Sequence, residues 1–283
     1  MWTLDIVAGE GRVGNEAGGN GLETTQLSNF TATSDNSGAK ELWRGPWAGI
    51  SRTNWILTNI DKSPKISDAK KTQYKGEAHF LRGLYYFNLV RLFGDVPWID
   101  KQQTASDDLQ VSRTSKDIVY QHIIDDFSDA ASMLPAVYEN TTDIGRATKG
   151  AAFGLLAKVY LTLKRYNETL VAIDSVMNLG VYSLNRKYEW NFSDLRENGP
   201  ESLFEVQYEK DVTAYSEFDI LGQGGWHHEY MAPLASINIG GPWGNFGWFA
   251  VYPEFVESYE PGDLRKSVSV WCEGDVYQGW SYD

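Results

Sequence analysis

Cysteine is almost missing from this chain, because Cys272 is the only one among its 283 residues. A single thiol excludes an internal disulfide framework, a four-cysteine zinc site and a thioredoxin-type pair. Long hydrophobic runs are missing as well, since no stretch reaches the roughly eighteen apolar residues that a membrane helix needs. The first residues, Met1 to Asp5, have neither a basic start nor a hydrophobic stretch, so secretion cannot be read from them.

Positive charge is scarce, because 25 Lys and Arg residues face 38 Asp and Glu residues, for a formal net charge of -13. A surface of this sign repels nucleic-acid phosphates and anionic lipid headgroups unless basic residues cluster locally. The longest basic cluster, Lys70 and Lys71 with Lys75 nearby, is typical of the solvated face of a helix. Nucleic-acid binding is therefore disfavoured. The 42% of hydrophobic residues are enough to bury a sizeable core.

Apolar residues recur at helical spacing over most of the chain between residues 42 and 180. The strongest predicted helix runs from Ser67 to Phe93, where Ser67 or Asp68 caps the start and Gly94 and Pro97 end it. The other predicted helices are Leu42 to Ile60, beginning near Gly45, a helix capped by Thr114 and ending before Pro135, and the pair Thr148 to Leu163 and Asn167 to Leu179. The chain is predicted to be mostly α-helical.

Two parts of the chain lack helical spacing. Residues 9 to 38 are rich in Gly, Asn, Ser and Thr and are predicted to be irregular and exposed. Gly9, Gly11 and Gly14 form a GxGxxG pattern there, but the residues that follow cannot open a helix, so dinucleotide binding is disfavoured. After residue 180, Ser202 to Tyr208 alternates like a strand, residues 222 to 249 are loop-like, and helical spacing returns only near Pro253 to Tyr259.

The last two helices of the helical part are predicted to form an antiparallel pair, joined by a tight turn around Arg165. One side of the first helix is small enough for a neighbour to approach closely, with Gly150, Ala151, Gly154 and Ala157 along it. Such a pair resembles a tetratricopeptide unit. Only this unit is clear, which argues against an interaction scaffold built from many repeats.

Four stretches of the sequence match one known family in order and spacing. They are Glu77 to Arg82 with Tyr85 to Pro97, then Gly145 to Leu161, then Tyr182 to Leu184 with Glu201 to Val206, and finally Gly262 to Arg265. Together they resemble the SusD/RagB family. Most of these residues are scaffold by their chemistry, since Arg82 and Arg91 are expected to bond neighbouring backbone or carboxylate groups, and the alanines allow helices to pack closely.

The resemblance implies a mostly α-helical SusD-like fold with tetratricopeptide-like helix pairs and a loop-rich segment with short strands. It also implies a non-catalytic binding protein, lipid-anchored on the outer face of the outer membrane in Bacteroidetes, that captures oligosaccharide or polysaccharide for a SusC-like TonB-dependent transporter. No cofactor is implied. We expect residues 1–283 to form a single, incomplete domain that lacks the signal, the anchor and a C-terminal part. Its helical core is expected over residues 40–180 and its loop-rich segment over 181–283.

A sugar-binding site needs flat aromatic rings for the apolar C–H faces and a few amide or charged groups for the hydroxyls. The resemblance places an aromatic from a Gly-Trp pair in the glycan-contact region, and Trp248, preceded by Gly247, matches it. Trp248 is therefore the strongest candidate, against the alternative that these rings only cover the core. The full set of candidate ligand-binding residues is Trp226, Trp243, Asn245 and Trp248, with Gln26 and Asn29 from the early loop.

Two other classes of function stay as alternatives. A helical glycoside hydrolase would need two opposed carboxylates, but pairs such as Glu254 and Glu257 arise by chance among 38 acidic residues. A tetratricopeptide interaction scaffold would need more repeats. A metal site at His227, His228 and Glu229 is not expected, because neighbouring side chains diverge and no further ligand lies at a helical or hairpin spacing.

Overall fold

A computed structural model describes residues 7–13, 22–207, 249–270, 272, 276–277 and 280–281. The chain falls into two compact units. Residues 1–40 and 207–283 form one, which we call the terminal unit, and residues 41–206 form the other, the central unit. The expected single, incomplete domain, with its core over 40–180 and its loop-rich segment over 181–283, stays a prediction.

The described residues are mostly helical, as predicted, with a few very short strands. The helices are α1 (Leu22–Ser28), α2 (Ser37–Asn59), α3 (Asp68–Phe93), α4 (Lys116–Met133), α5 (Lys149–Thr162), α6 (Tyr166–Met177), α7 (Pro253–Glu257) and α8 (Lys266–Ser269). The antiparallel strand pairs are β1 (Gly11–Val13) with β4 (Phe249–Val251), β2 (Val96–Pro97) with β3 (Arg113–Thr114), and β5 (Val276–Tyr277) with β6 (Trp280–Ser281). Helices α3, α4, α5 and α6 pack side by side in chain order.

The longest helix, α3, has the ends that the sequence predicts. The side chain of Ser67 accepts a hydrogen bond from the backbone N–H of Lys70 and so caps the first turn. Gly94 ends the helix with a φ of 69°, a left-handed conformation that favours glycine. Phe80 and Phe87, seven residues apart on one face of this helix, are fully buried in the core.

Helix α2 begins at Ser37, eight residues before the predicted start near Gly45. The early start is stabilised by Asn36, whose side-chain oxygen accepts a hydrogen bond from the N–H of Ala39 (3.0 Å). Pro46 therefore lies inside the helix rather than near its beginning. Proline has no N–H, so the carbonyl of Leu42 receives no helical hydrogen bond from it.

The predicted cap of α4 at Thr114 is wrong. Thr114 lies in β3, where it pairs with Val96, and the helix begins at Lys116. Its first N–H group is bonded instead by a carboxylate distant in sequence, since Asp95 accepts from Lys116 N at 2.8 Å. A cap supplied by a preceding segment cannot be read from the residues next to the helix.

The tetratricopeptide-like pair of α5 and α6 is confirmed. Thr148 caps α5 through a bond from Ala151 N (3.1 Å), and Lys164 makes the tight turn with a φ of 59°. The small side of α5 allows close approach as expected, and at its two glycines the neighbours are Tyr182 and Leu203, which lie after α6. A Cβ atom added at Gly150 would overlap the ring of Tyr182, a residue that follows α6. Glycine is therefore required at this position.

Two predictions about the less regular regions are wrong. Residues 9–38 are not uniformly irregular, because they contain β1 and α1 as well as the start of α2. The predicted strand from Ser202 is absent over the described residues 202–207. Phe204 instead packs its ring on Phe80, with 4.9 Å between the ring centroids. Alternation of apolar residues here reflects packing on a helix. The short helix α7 confirms the predicted return of helical structure.

The first three of the four segments that resemble SusD/RagB proteins contact one another within the central unit. The contacts are the ion pair of Glu77 with Arg146 (2.9 Å), the ring pair of Phe80 with Phe204, and the packing of Tyr182 on Gly150 and of Leu203 on Gly154. Each contact joins residues far apart in sequence. These segments therefore form one scaffold, as their chemistry predicts.

A buried polar network lies at the centre of this scaffold. The Arg82 guanidinium donates to both carboxylate oxygens of Asp126 (2.9 and 2.7 Å) and to the side-chain oxygen of Asn54 (2.9 Å). It also donates to the backbone carbonyl of Asp100 (3.0 Å). Nδ1 of His79 lies 2.7 Å from the same Asp126 carboxylate. Arg82, Asn54 and Asp126 are buried, so α2, α3, α4 and the segment after β2 meet at one charge pair.

The ionisation of the network follows from burial and charge. Burial lowers the pKa of Arg82, but the hydrogen bond and the negative charge of Asp126 outweigh that effect and leave the pKa above its ordinary value. Tyr86 bonds Ile99 through its hydroxyl, and burial raises the pKa of this tyrosine. Arg82 therefore stays charged and Tyr86 neutral through the ordinary pH range.

Replacing Arg82 with Met leaves the Asp126 carboxylate buried without its counter-charge, and we expect a loss of about 3–5 kcal/mol in the free energy of unfolding. The double variant R82M/D126L should lose less than the sum of the single variants, because neither charge is left unpaired. Urea unfolding followed by circular dichroism measures both. Arg44→Met is the control, since its ion pair with Glu41 is exposed and should contribute under about 1 kcal/mol. Additive losses would contradict the pairing.

Helix α6 carries an apolar stripe on its solvent side. Tyr166, Leu170, Ile173 and Met177 follow one another at helical spacing, and their side chains are 44–61% exposed. A contiguous exposed apolar surface promotes association with other apolar surfaces.

Replacing Leu170 and Ile173 together with Ser should lower both the fluorescence of the dye ANS on the folded protein and its self-association. The reason is the loss of exposed apolar area. Analytical ultracentrifugation across a tenfold range of concentration measures the association. Asp174→Ser, a change to an exposed polar position on the same helix, should alter neither quantity. Equal dye binding in the double variant would show that the stripe is not the associating surface.

Candidate functional site

Four of the six candidate ligand-binding residues, Trp226, Trp243, Asn245 and Trp248, lie outside the described residues. The other two, Gln26 and Asn29, belong to the terminal unit, at the end of α1 and in the turn after it. Gln26 is half-buried and Asn29 is exposed. The described site is therefore built from α1, from the loop between α1 and α2, and from the strands of the same unit.

Strand β4 begins directly after Trp248 and is fixed by pairing with β1. Val13 lies opposite Phe249 and Gly11 opposite Val251 in an antiparallel register. The pairing extends by one bond, from the N–H of Tyr252 to the carbonyl of Glu10 (3.0 Å). Because α1 also contacts β1, the segment that carries Gln26 and the strand that follows Trp248 belong to one compact unit.

Helix α1 ends in a Schellman turn, which is a closure of the last helical turn by two backbone hydrogen bonds. Thr31 N donates to the carbonyl of Gln26 (2.8 Å), and Phe30 N donates to the carbonyl of Leu27 (3.2 Å). Phe30 occupies the position of this motif where the backbone turns left-handed, with a φ of 56°. The turn therefore fixes the direction in which the chain leaves the candidate residues.

The loop after α1 is braced by the buried side chain of Asn36. Its amide nitrogen donates to the side-chain oxygen of Gln26 (3.0 Å) and to the carbonyl of Glu23 (2.9 Å), and its amide oxygen caps α2 at Ala39. The oxygen of Gln26 is thus used within the loop. In the described part of the chain, the amide nitrogen of Gln26 has no acceptor, and the exposed side chain of Asn29 makes no hydrogen bond.

The fourth SusD/RagB-like stretch, Gly262 to Arg265, lies in the terminal unit, after α7. Arg265 binds Asp263 through its guanidinium and its backbone N–H, and these hydrogen bonds lower the pKa of Asp263 to about 2. Glu254 and Glu257 of α7 are both exposed. The Asp263 carboxylate is thus used to hold the turn that carries Arg265.

The central unit contains a cavity of about 260 Å³ between the loops that flank the helix pair. Two of its lining side chains are bonded within the scaffold: the Tyr138 hydroxyl donates to the carbonyl of Ala147 (2.8 Å), and Arg146 pairs with Asp143 (2.7 Å). Burial, followed by the charge of Glu77, raises the pKa of Tyr138, so this hydroxyl stays protonated. We assign these groups to the scaffold of the helix pair.

Neither a metal nor a membrane crossing is indicated within the described ranges. No group of three His, Cys, Asp or Glu side chains is arranged there to hold a metal ion. The residues His227, His228 and Glu229 lie outside these ranges. Among the described helices, none is both long and apolar enough to cross a membrane.

Two residues of the loop after α1, Asn36 and Phe30, were missed by sequence reasoning. Asn36 had a recognisable signal, because an Asn directly before a helix is a common cap, but the glycine-rich surroundings obscured it. Phe30 had no comparable signal, since a single Phe in a polar stretch does not reveal its backbone conformation or its exposure.

Replacing Asn36 with Ala removes three hydrogen bonds and leaves their half-buried partners unsatisfied, so we expect the free energy of unfolding to fall by about 1–3 kcal/mol. Amide hydrogen exchange should also accelerate over residues 22–36, because the brace that closes the loop is lost. Mass spectrometry after deuterium labelling measures it. Asn140→Ala removes one exposed cap and should leave this region unchanged. Unchanged exchange in N36A would contradict the brace.

Comparison with known proteins identifies the family. The model of the SusD-like_3 family, described as "Starch-binding associating with outer membrane", matches residues 10–161. SusD-like protein P2 of Formosa agariphila is 27% identical over 257 residues, which cover 87% of this chain and 48% of that protein. The crystal structure of a SusD superfamily protein from Parabacteroides distasonis has 26% identity and a TM-score of 0.80, covering 94% of this chain and 55% of that one.

A further solved structure, surface glycan-binding protein A from Bacteroides thetaiotaomicron in complex with laminarihexaose, has 23% identity and a TM-score of 0.77. The match covers 94% of this chain and 56% of that protein, and at this identity it shows the fold alone. This chain spans about half the length of the curated relatives it matches. The family model matches more than half of the chain, and the fold agrees with that of a solved SusD superfamily protein. This chain therefore belongs to the SusD-like family.

Proposed function

We propose that this protein captures oligosaccharide or polysaccharide, without cleaving it, on the outer face of the outer membrane. The observation that carries the proposal is the match of residues 10–161 to a family described as starch-binding and associated with the outer membrane. Relatives with the same fold include a laminarin-binding protein and a protein solved with laminarihexaose. The ligand class that we propose is a neutral polysaccharide, such as the starch of the family description.

The proposed contact surface lies in the terminal unit. Trp248 is the proposed principal stacking residue, with Trp226 and Trp243 as further rings. Asn245, Gln26 and Asn29 would bond hydroxyl groups. Support comes from the described part of the unit, where the amide nitrogen of Gln26 and the exposed amide of Asn29 lie three residues apart, at the end of α1 and in the braced turn after it. Amide groups next to flat rings are the usual composition of a sugar site.

Three described carboxyl groups have an ionisation that is unsuited to general-acid catalysis. A glycosidase needs one carboxylic acid whose pKa is raised so that it can donate a proton to the leaving oxygen. Hydrogen bonds hold the pKa of three described carboxyl groups below its ordinary value. They are Asp107, Glu168 and Asp263. None of these three is suited to act as a general acid.

The resemblance to SusD/RagB proteins supports two further parts of the proposal. The protein is held at the membrane by a lipid anchor, and it delivers its ligand to a SusC-like TonB-dependent transporter. The net charge of -13 is compatible with a neutral glycan ligand, because such a ligand is neither attracted nor repelled by the field of the protein.

Affinity electrophoresis in gels that contain laminarin, soluble starch or dextran tests capture, and a reducing-sugar assay on the same mixtures tests cleavage. At least one polysaccharide should retard the wild type with no release of reducing ends. Trp248→Ala should weaken the retarding interaction about tenfold, which corresponds to the loss of about 1.4 kcal/mol of stacking.

Trp55→Ala is the matched control, because Trp55 is 57% exposed but lies on α2 in the central unit. It should bind like the wild type. Release of reducing ends would favour the glycoside hydrolase alternative. Equal weakening in W55A and W248A would show that the effect is not specific to the proposed surface.

A further inference from the structure

Phe30 combines two properties that are unfavourable for a hydrophobic residue. Its side chain is 72% exposed, and its backbone is left-handed with a φ of 56°. Among the described residues, the others with a positive φ that are not glycine are Lys164 and Asn198. Asn adopts this conformation readily and Lys is polar, whereas an exposed aromatic gains little from burial to offset the strain.

The position of Phe30 in the turn explains why its backbone conformation is strained. In a Schellman turn this position is usually glycine, because glycine has no Cβ atom to collide with the backbone. Here both hydrogen bonds of the motif are formed around Phe30. A glycine would therefore complete the same turn at lower conformational cost. A bulky ring kept in a strained and exposed position indicates a use outside the fold itself.

The ring is carried on a rigid support. The Schellman bonds fix the backbone on both sides of Phe30, and Thr31 adds a longer bond from its hydroxyl to the carbonyl of Gln26 (3.5 Å). The buried Asn36 then ties α1 to the start of α2. A pre-ordered aromatic loses little entropy when a ligand stacks on it, which raises the affinity that one ring can supply.

Polar groups that suit a sugar flank the ring. Asn29 precedes Phe30 and Thr31 follows it, and both side chains are exposed. We propose that Phe30 is a stacking platform for one pyranose ring of the captured glycan, with the Asn29 amide and the Thr31 hydroxyl as bonding groups for its hydroxyls. This inference rests on the proposed function and adds to it a ligand-contacting residue. The preferred ring is one with a flat apolar face, such as a pyranose whose substituents are equatorial.

The test compares Phe30→Gly, Phe30→Ala and Phe30→Trp by affinity electrophoresis in the polysaccharide that retards the wild type. The Gly and Ala variants should bind about tenfold more weakly, while the Trp variant should stay within about threefold of the wild type. Thermal unfolding is measured on the same samples. The Gly variant should melt no lower than the wild type, and up to about 4 °C higher, because the strain is removed.

Phe192→Ala is the matched control, since Phe192 is 67% exposed and lies in the central unit, and its affinity should equal that of the wild type. Unchanged affinity of F30G overturns the inference and leaves the proposed function standing. A fall in Tm that accompanies the lost affinity of F30G also overturns it, because Phe30 would then hold the loop. If no polysaccharide of the panel retards the wild type, the proposed function falls, and this inference with it.

Discussion

The buried carboxylate of Asp126 is the point on which the helical scaffold depends. Arg82 and His79 both bond it from α3, and Arg82 reaches onward to Asn54 of α2 and to the backbone at Asp100. The hydrophobic effect has no directional preference, whereas hydrogen bonds to a charge fix distance and direction. One charge pair thus sets how three helices and a connecting segment are aligned, and the surrounding apolar core fills the space that remains.

The sequence was sufficient for features that depend on neighbouring residues. The extent of α3 followed from Ser67 and Gly94, and the helix pair from Thr148 and its small residues, because capping and close packing are local. Features set by distant residues were not predictable. The first N–H of α4 is bonded by Asp95. A charged residue at position 126, on the apolar stripe of α4, was a signal that a buried partner exists, but it did not identify Arg82.

In the candidate site, too, some features follow from the sequence and others depend on how the chain folds. Composition and the family resemblance pointed to the tryptophans between 226 and 248, which lie outside the described residues, and to Gln26 and Asn29. The geometry around Phe30 could not be anticipated, because a left-handed aromatic follows from how one turn closes. In this chain the first three family-like stretches contact one another in the central unit, so packing explains why their residues occur together. The candidate ring and amide groups belong to loops and turns, where local sequence does not reveal the arrangement of side chains.

The apolar stripe of α6 changes what a stability measurement on this protein means. A helix pair with an uncovered face resembles the uncapped end of a repeat array, in which each unit is stabilised by its neighbour. Anything that covers the face binds the folded chain and not the unfolded one, so by mass action it adds to the apparent stability. Where such covering occurs, the melting temperature depends on the concentration of this chain and on the other molecules in the sample that bind the apolar face. Two samples that differ only in dilution are expected to differ in stability.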